Sequence, residues 1–106
     1  MSGAVPRQAA REVATDLQFA RLMAVKENRD FRVSCAGSSY QVIRVSDGFV
    51  AKSRNFSSDF SGISLTNTTV TFNSRGNAAS ASTITVSNPL GTRNVTVGTT
   101  GRVKMQ

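Results

Sequence analysis

With 106 residues, six Phe, one Tyr and no Trp, the chain can bury one modest core and form one domain. It has one Cys and no His, so it lacks an intrachain disulfide, the commonest acid/base catalyst and the commonest metal ligand. Its net charge of +7 is uneven: Phe60 to Gln106 holds no acid and four cations, Arg75, Arg93, Arg102 and Lys104, while six acids partly offset nine bases before it.

The chain has no run of ~18 or more apolar residues, the length a membrane-crossing helix needs. Met1-Ser2-Gly3-Ala4 has neither the charged start nor the apolar stretch of a secretory signal. The expectation is a soluble fragment that starts downstream of such a segment.

The first element is a helix. Pro6 fits its first position, and Ala10, Val13, Leu17, Ala20 and Ala24 recur at steps of three and four. Phe19, Leu22 and Met23 widen the apolar face, and Arg7, Arg11, Asp16, Gln18, Arg21 and Lys26 supply polar positions. The Ala-rich stripe permits close approach, either to the domain's own sheet or to a neighbouring subunit.

After Asn28 the apolar period changes from near 3.6 to 2. Strands are predicted at Phe31 to Cys35, Tyr40 to Val45 and Phe49 to Arg54, turning at Gly37-Ser38-Ser39 and Asp47-Gly48. A Ser-rich loop, Asn55 to Gly62, follows. Further strands are predicted at Ile63 to Leu65, Thr69 to Phe72, Thr83 to Ser87, Asn94 to Val97 and Arg102 to Lys104. Their connectors are Asn67-Thr68, Asn73 to Ser82, Asn88 to Arg93 and Gly98 to Gly101. The fold class is α+β: an N-terminal helix on an antiparallel β-sandwich of about eight short strands.

Three stretches in order, Ala14-Thr15-Asp16-Leu17-Gln18-Phe19-Ala20-Arg21-Leu22-Met23-Ala24-Val25-Lys26-Glu27-Asn28-Arg29, Val70-Thr71-Phe72-Asn73-Ser74-Arg75-Gly76 and Gly101-Arg102-Val103-Lys104, give the chain its likeness to a known family. It resembles the GspH/FimT minor pilins and pseudopilins, over nearly its whole length. The resemblance implies a hydrophobic N-terminal helix, absent from this sequence, that anchors the subunit in the bacterial inner membrane. A prepilin peptidase trims the leader, and the helix then packs into a filament core, so the mature subunit passes to the periplasm and the extracellular pilus. On this reading residues 1–29 are the C-terminal half of that helix, with Met1 to Gly3 left over from expression, and residues 30–106 are the sandwich with its basic tail.

Members of the family divide between type II secretion pseudopili, with an H-type subunit near the tip, and type IV pili, with FimT- and FimU-like subunits that prime assembly. Some FimT-like members take part in DNA uptake during natural transformation, through basic residues near the C-terminus. The resemblance therefore implies other minor and major pilins as partners, the membrane through the missing helix, and double-stranded DNA.

The residues themselves allow the DNA reading. Arg102 and Lys104 are two apart on a predicted strand, so both should point to one face, with Arg93 beside them and Arg75 extending the patch from another turn. The tail has no aromatic residue among these cations, so binding would run through phosphates rather than base stacking. A solvated basic surface on an H-type pseudopilin explains the same residues.

The other candidates read as structure. Cys35 alternates with Phe31 and Val33, as a buried strand position does. The loop around Asp59 has too few carboxylates for Ca²⁺, and the Asn-x-Ser/Thr triplets at Asn55, Asn67 and Asn94 are weak matches. Asn73-Ser74-Arg75-Gly76-Asn77 lacks the Lys and following helix of a phosphate-binding loop. The acids Glu12, Asp16, Glu27, Asp30, Asp47 and Asp59 form no catalytic pattern. No catalytic residue, metal site or cofactor is expected, and an adhesin role has no pocket signature to support it.

Overall fold

The computed structural model describes residues 5–56, 62–89 and 91–105, and for Val5 and Pro6 the backbone alone. Helix α1 spans Val5–Glu27, starting one residue before the expected Pro6. Its core face is Ala9, Ala10, Val13, Leu17, Ala20 and Ala24, all fully buried. Four of these six are Ala, so the helix axis can lie close to the sheet. Asn28 ends the helix with a left-handed φ of 56°. Its N–H donates to the Val25 carbonyl (3.3 Å) and the Arg29 N–H to that of Ala24 (3.1 Å), which satisfies the last carbonyls in a Schellman arrangement.

Among the described residues seven strands follow: β1 (Phe31–Gly37), β2 (Ser39–Arg44), β3 (Phe49–Asn55), β4 (Ser64–Phe72), β5 (Ser82–Asn88), β6 (Gly91–Val97) and β7 (Val103–Met105). They form one antiparallel sheet in the order β3-β2-β1-β4-β5-β6-β7. The expected helix-on-sheet α+β architecture is present, with seven strands in one sheet where about eight in a sandwich were counted. The sheet has two arms. Strand β4 pairs along its length with β1, yet meets β5 at two rungs, Ser64↔Ser87 and Leu65↔Val86.

The strand count differs because Asn67-Thr68 is a bulge, not a turn. The register with β1 slips between Cys35↔Thr68 and Gly37↔Leu65, placing an extra residue in β4. Leu65 and Val70 have opposite parity, and the slip lets both face the core. The other correction concerns Arg93, expected in a connector. It lies inside β6, paired with Val86, because β6 continues back to Gly91↔Asn88.

The core fills the space between α1 and the sheet with Phe31, Val33, Tyr40, Val42, Val70, Phe72, Ile84, Val86, Val95 and Val97. Cys35 is buried, as its alternation predicts. Of the Ser-rich loop, residues 57–61, with Asp59, lie outside the described residues, as do the suggested expression remnants Met1 to Gly3. No described helix is long and apolar enough to cross a membrane.

Candidate functional site

The helix presents a different chemistry on each flank. Positions 12, 16, 19 and 27 fall on one side of α1 and face the β2–β3 arm. There Arg54 Nε donates to Glu12 Oε1 at 2.7 Å, and Lys52 Nζ donates to Asp16 Oδ1 at 2.6 Å. The Tyr40 hydroxyl donates to the other Asp16 oxygen, and Lys52 also lies 5.6 Å from the centre of the Phe19 ring. Arg44 spans Glu27 (3.1 Å) and Asp47 (2.7 Å). Four of the five described acids are thus held in salt bridges on this side of the molecule.

Asp16 is 3 % exposed, and its carboxylate is matched by a hydroxyl on one oxygen and an ammonium on the other. Burial, and then the bond to Asp16, pushes the Tyr40 hydroxyl well above its ordinary pKa, so it stays a donor. This cluster fixes the helix to the sheet.

The opposite flank carries cations. Arg21 Nε donates to the Gly76 carbonyl at 3.0 Å, linking α1 to the β4–β5 connection. That connection is held by Asn73, whose side-chain oxygen accepts from the Arg75 N–H (2.9 Å) and the Asn77 N–H (3.1 Å). The β6–β7 turn packs against it, with the Ala78 N–H donating to the Thr99 carbonyl at 3.1 Å. At the contact, a Cβ on Gly101 would stand 1.8 Å from the Gly76 oxygen and 2.9 Å from Arg21 Nε. Three chain segments therefore meet at one joint, and Arg21, Arg75 and Arg102 all belong to it or adjoin it.

Of the four predicted residues, Arg75 and Arg102 are the chain neighbours of Gly76 and Gly101, the two glycines in contact. Arg102 joins Arg21, Gln18, Leu22, Val25 and Val103 in lining a groove of about 490 Å³. Lys104 pairs with Thr96, on the sheet face opposite the buried Val95 and Val97. Arg93 has the parity of Val95 and Val97 and lies beyond the last β6–β7 rung, Val95↔Met105. It is five residues up β6 from the Gly98 turn, roughly 16 Å at ~3.3 Å per residue. The common face expected for Arg102 and Lys104 is lost because Arg102 precedes β7 and turns toward α1. Arg21 was legible in the sequence as a polar helix position and nothing more. No local pattern connects it to glycines so far along the chain.

Comparison with known proteins places this architecture. Residues 9–101 match the family model described as Type II transport protein GspH. The chain belongs to the GspH family. Among solved structures it is similar to the type IV minor pilin FimU of Pseudomonas aeruginosa strain PAO1 in two crystal forms. The first gives a TM-score of 0.75 at 18 % identity, covering 95 % of this chain and 87 % of FimU. The second gives 0.73 at 18 % identity, covering 94 % and 91 %. At that identity the likeness is one of fold. No curated protein sequence matches the chain. The fold is therefore that of a minor pilin or pseudopilin.

Proposed function

We propose that this chain is the globular part of a type IV minor pilin that enters the filament through its N-terminal helix and binds double-stranded DNA by phosphate contacts, for uptake in natural transformation. Residues 1–29 are then the end of a longer helix that anchors the subunit in the inner membrane before assembly, and residues 30–106 form the exposed head. Its partners are other minor and major pilins, and its place after assembly is the periplasm and the extracellular pilus. The role is one of binding and assembly, without catalysis or a cofactor.

One observation carries the DNA part. Arg75, Arg93, Arg102 and Lys104 form no salt bridge among the described residues, whereas four of the five described acids are committed elsewhere. Among the described residues no acid offsets the field over the C-terminal arm, which favours a polyanion. Arg75 and Arg102 supply the centre of the contact, with Lys104 and Arg93 as outlying cations. The second reading is an H-type pseudopilin that binds other pseudopilins and no DNA, favoured by the description of the family model itself.

The two separate in an NMR titration of the labelled domain with a short duplex, at low and then at physiological salt. Shifts around Arg75 and Gly101 to Lys104 that fade with salt support the DNA-binding minor pilin. A spectrum unmoved at low salt gives the chain to the pseudopilin reading.

A further inference from the structure

The cations singled out by the sequence all lie in the acid-free C-terminal half, but the joint in the fold is built around a residue of the helix. We propose that Arg21 is a direct phosphate ligand, and that Arg21, Arg75 and Arg102 together form the oxyanion-binding centre of this domain. The inference rests on the DNA reading above and adds to it a ligand from α1.

Arg21 has the geometry of a prepositioned contact. A guanidinium has five N–H donors. In Arg21 the Nε–H is used on the Gly76 carbonyl at 3.0 Å, and among the described residues the terminal nitrogens make no hydrogen bond. That single bond fixes the plane of the fork, so little side-chain freedom remains to be lost when an oxyanion binds. Arg21 is exposed, and it lines the same groove as Arg102. Arg75 stands one residue before the carbonyl that Arg21 holds.

The surroundings favour an anion. The acids of α1 at Glu12, Asp16 and Glu27 lie on the other flank and are neutralised by Arg54, Lys52 and Arg44. Arg21, Arg75 and Arg102 form no salt bridge among the described residues. Arg21 and Arg102 line one groove that, among the described residues, has no acid in its lining, and a phosphate seated there offsets their mutual repulsion, with Arg75 at the neighbouring turn. The three come from α1, the β4–β5 connection and the β6–β7 turn, and the contact of Gly76 with Gly101 holds these segments together. The centre is thus a product of tertiary packing rather than of a flexible tail.

The test is fluorescence anisotropy with a short labelled duplex over a series of salt concentrations. The proteins are the wild-type domain, Arg21→Gln, Arg21→Lys and Arg11→Gln, the last removing an exposed charge of the same helix two to three turns away. Arg21→Gln should weaken binding and lower the slope of log affinity against log salt by about 0.9, one phosphate contact. Arg21→Lys, which keeps the charge, should restore that slope, and Arg11→Gln should leave it near wild type. The amide signals of Gly76 and Gly101 report whether the joint survives in each variant.

If the wild type binds DNA but Arg21→Gln behaves like Arg11→Gln, the inference is overturned and the DNA reading stands. If Arg21→Lys is as weak as Arg21→Gln and the Gly76 and Gly101 amide signals have moved in both, Arg21 is a brace for the Gly76 turn and no ligand, which also overturns it. If the wild type binds no duplex at low salt, the DNA reading itself fails and takes the inference with it.

Discussion

Gly101 touches the Gly76 carbonyl so closely that a Cβ at position 101 would stand 1.8 Å from its oxygen. Its φ is also +85°, in the left-handed region. Gly101→Ala therefore meets both a backbone collision and a conformational penalty. Gly48 has a similar φ of +74° but open space around its Cβ position. The expected result in urea unfolding is a loss of at least about 3 kcal/mol for Gly101→Ala against about 1 kcal/mol for Gly48→Ala. Equal losses would mean that the two turns do not press on each other.

The Tyr40 hydroxyl and the Asp16 carboxylate tie the helix to β2. Tyr40→Phe removes the donor from a buried carboxylate oxygen and should cost about 1–3 kcal/mol. Asp16→Ala should cost more, because it removes at once the bond from the Tyr40 hydroxyl and the ion pair with Lys52. Chemical denaturation of the two variants checks the order.

Ala20 is fully buried under α1 against the sheet. Ala20→Leu forces extra volume into that gap and should destabilise by about 1–3 kcal/mol. Leu22→Ala, on the exposed side of the same helix, should stay within ~0.5 kcal/mol. Thermal unfolding of the pair measures how tightly the Ala face packs.

Burial pushes the Cys35 thiol from 9.0 up to about 11, so the native protein disfavours the thiolate. The sign follows: the contribution to stability is complete below pH 9.0 and is lost as pH rises toward about 11. Iodoacetamide should leave native Cys35 unmodified at mildly alkaline pH and label it on unfolding. Rapid labelling of the folded protein would contradict its burial.

Asp47 behaves in the opposite sense. The Arg44 side chain and then the Phe49 N–H hold its carboxyl at about 2, below its ordinary 3.8. Its stabilising effect is present above 3.8 and fades as pH falls toward 2. Because the pair is exposed to solvent, the effect is modest and should shrink with added salt. Asp47→Asn should flatten the acid limb of a stability-versus-pH curve between those values, a change checked by thermal unfolding across that range.

Much of the fold was written in local chemistry. The step of three and four from Ala10 to Ala24 fixed the helix and its buried face, because side-chain direction follows directly from helical geometry. The alternation of Phe31, Val33 and Cys35 did the same for β1, since a strand turns each successive side chain to the opposite face. The β4 bulge stayed hidden. Thr66, Asn67 and Thr68 have the composition of a turn, and the slip that keeps them in a strand exists only against β1.

The charge segregation was half legible. The absence of acids after Asp59 is a property of the sequence, and it pointed to the C-terminal arm. That the acids of α1 are spent on Arg44, Lys52 and Arg54 needed the helix set against β2 and β3. The place of Arg21 was decided by tertiary structure alone. Its partner Gly76 is 55 residues away, and a hydrogen bond across that separation has no local pattern to announce it. Local periodicity determined which side chains are buried; the packing of two glycine turns on the helix determined which cations meet.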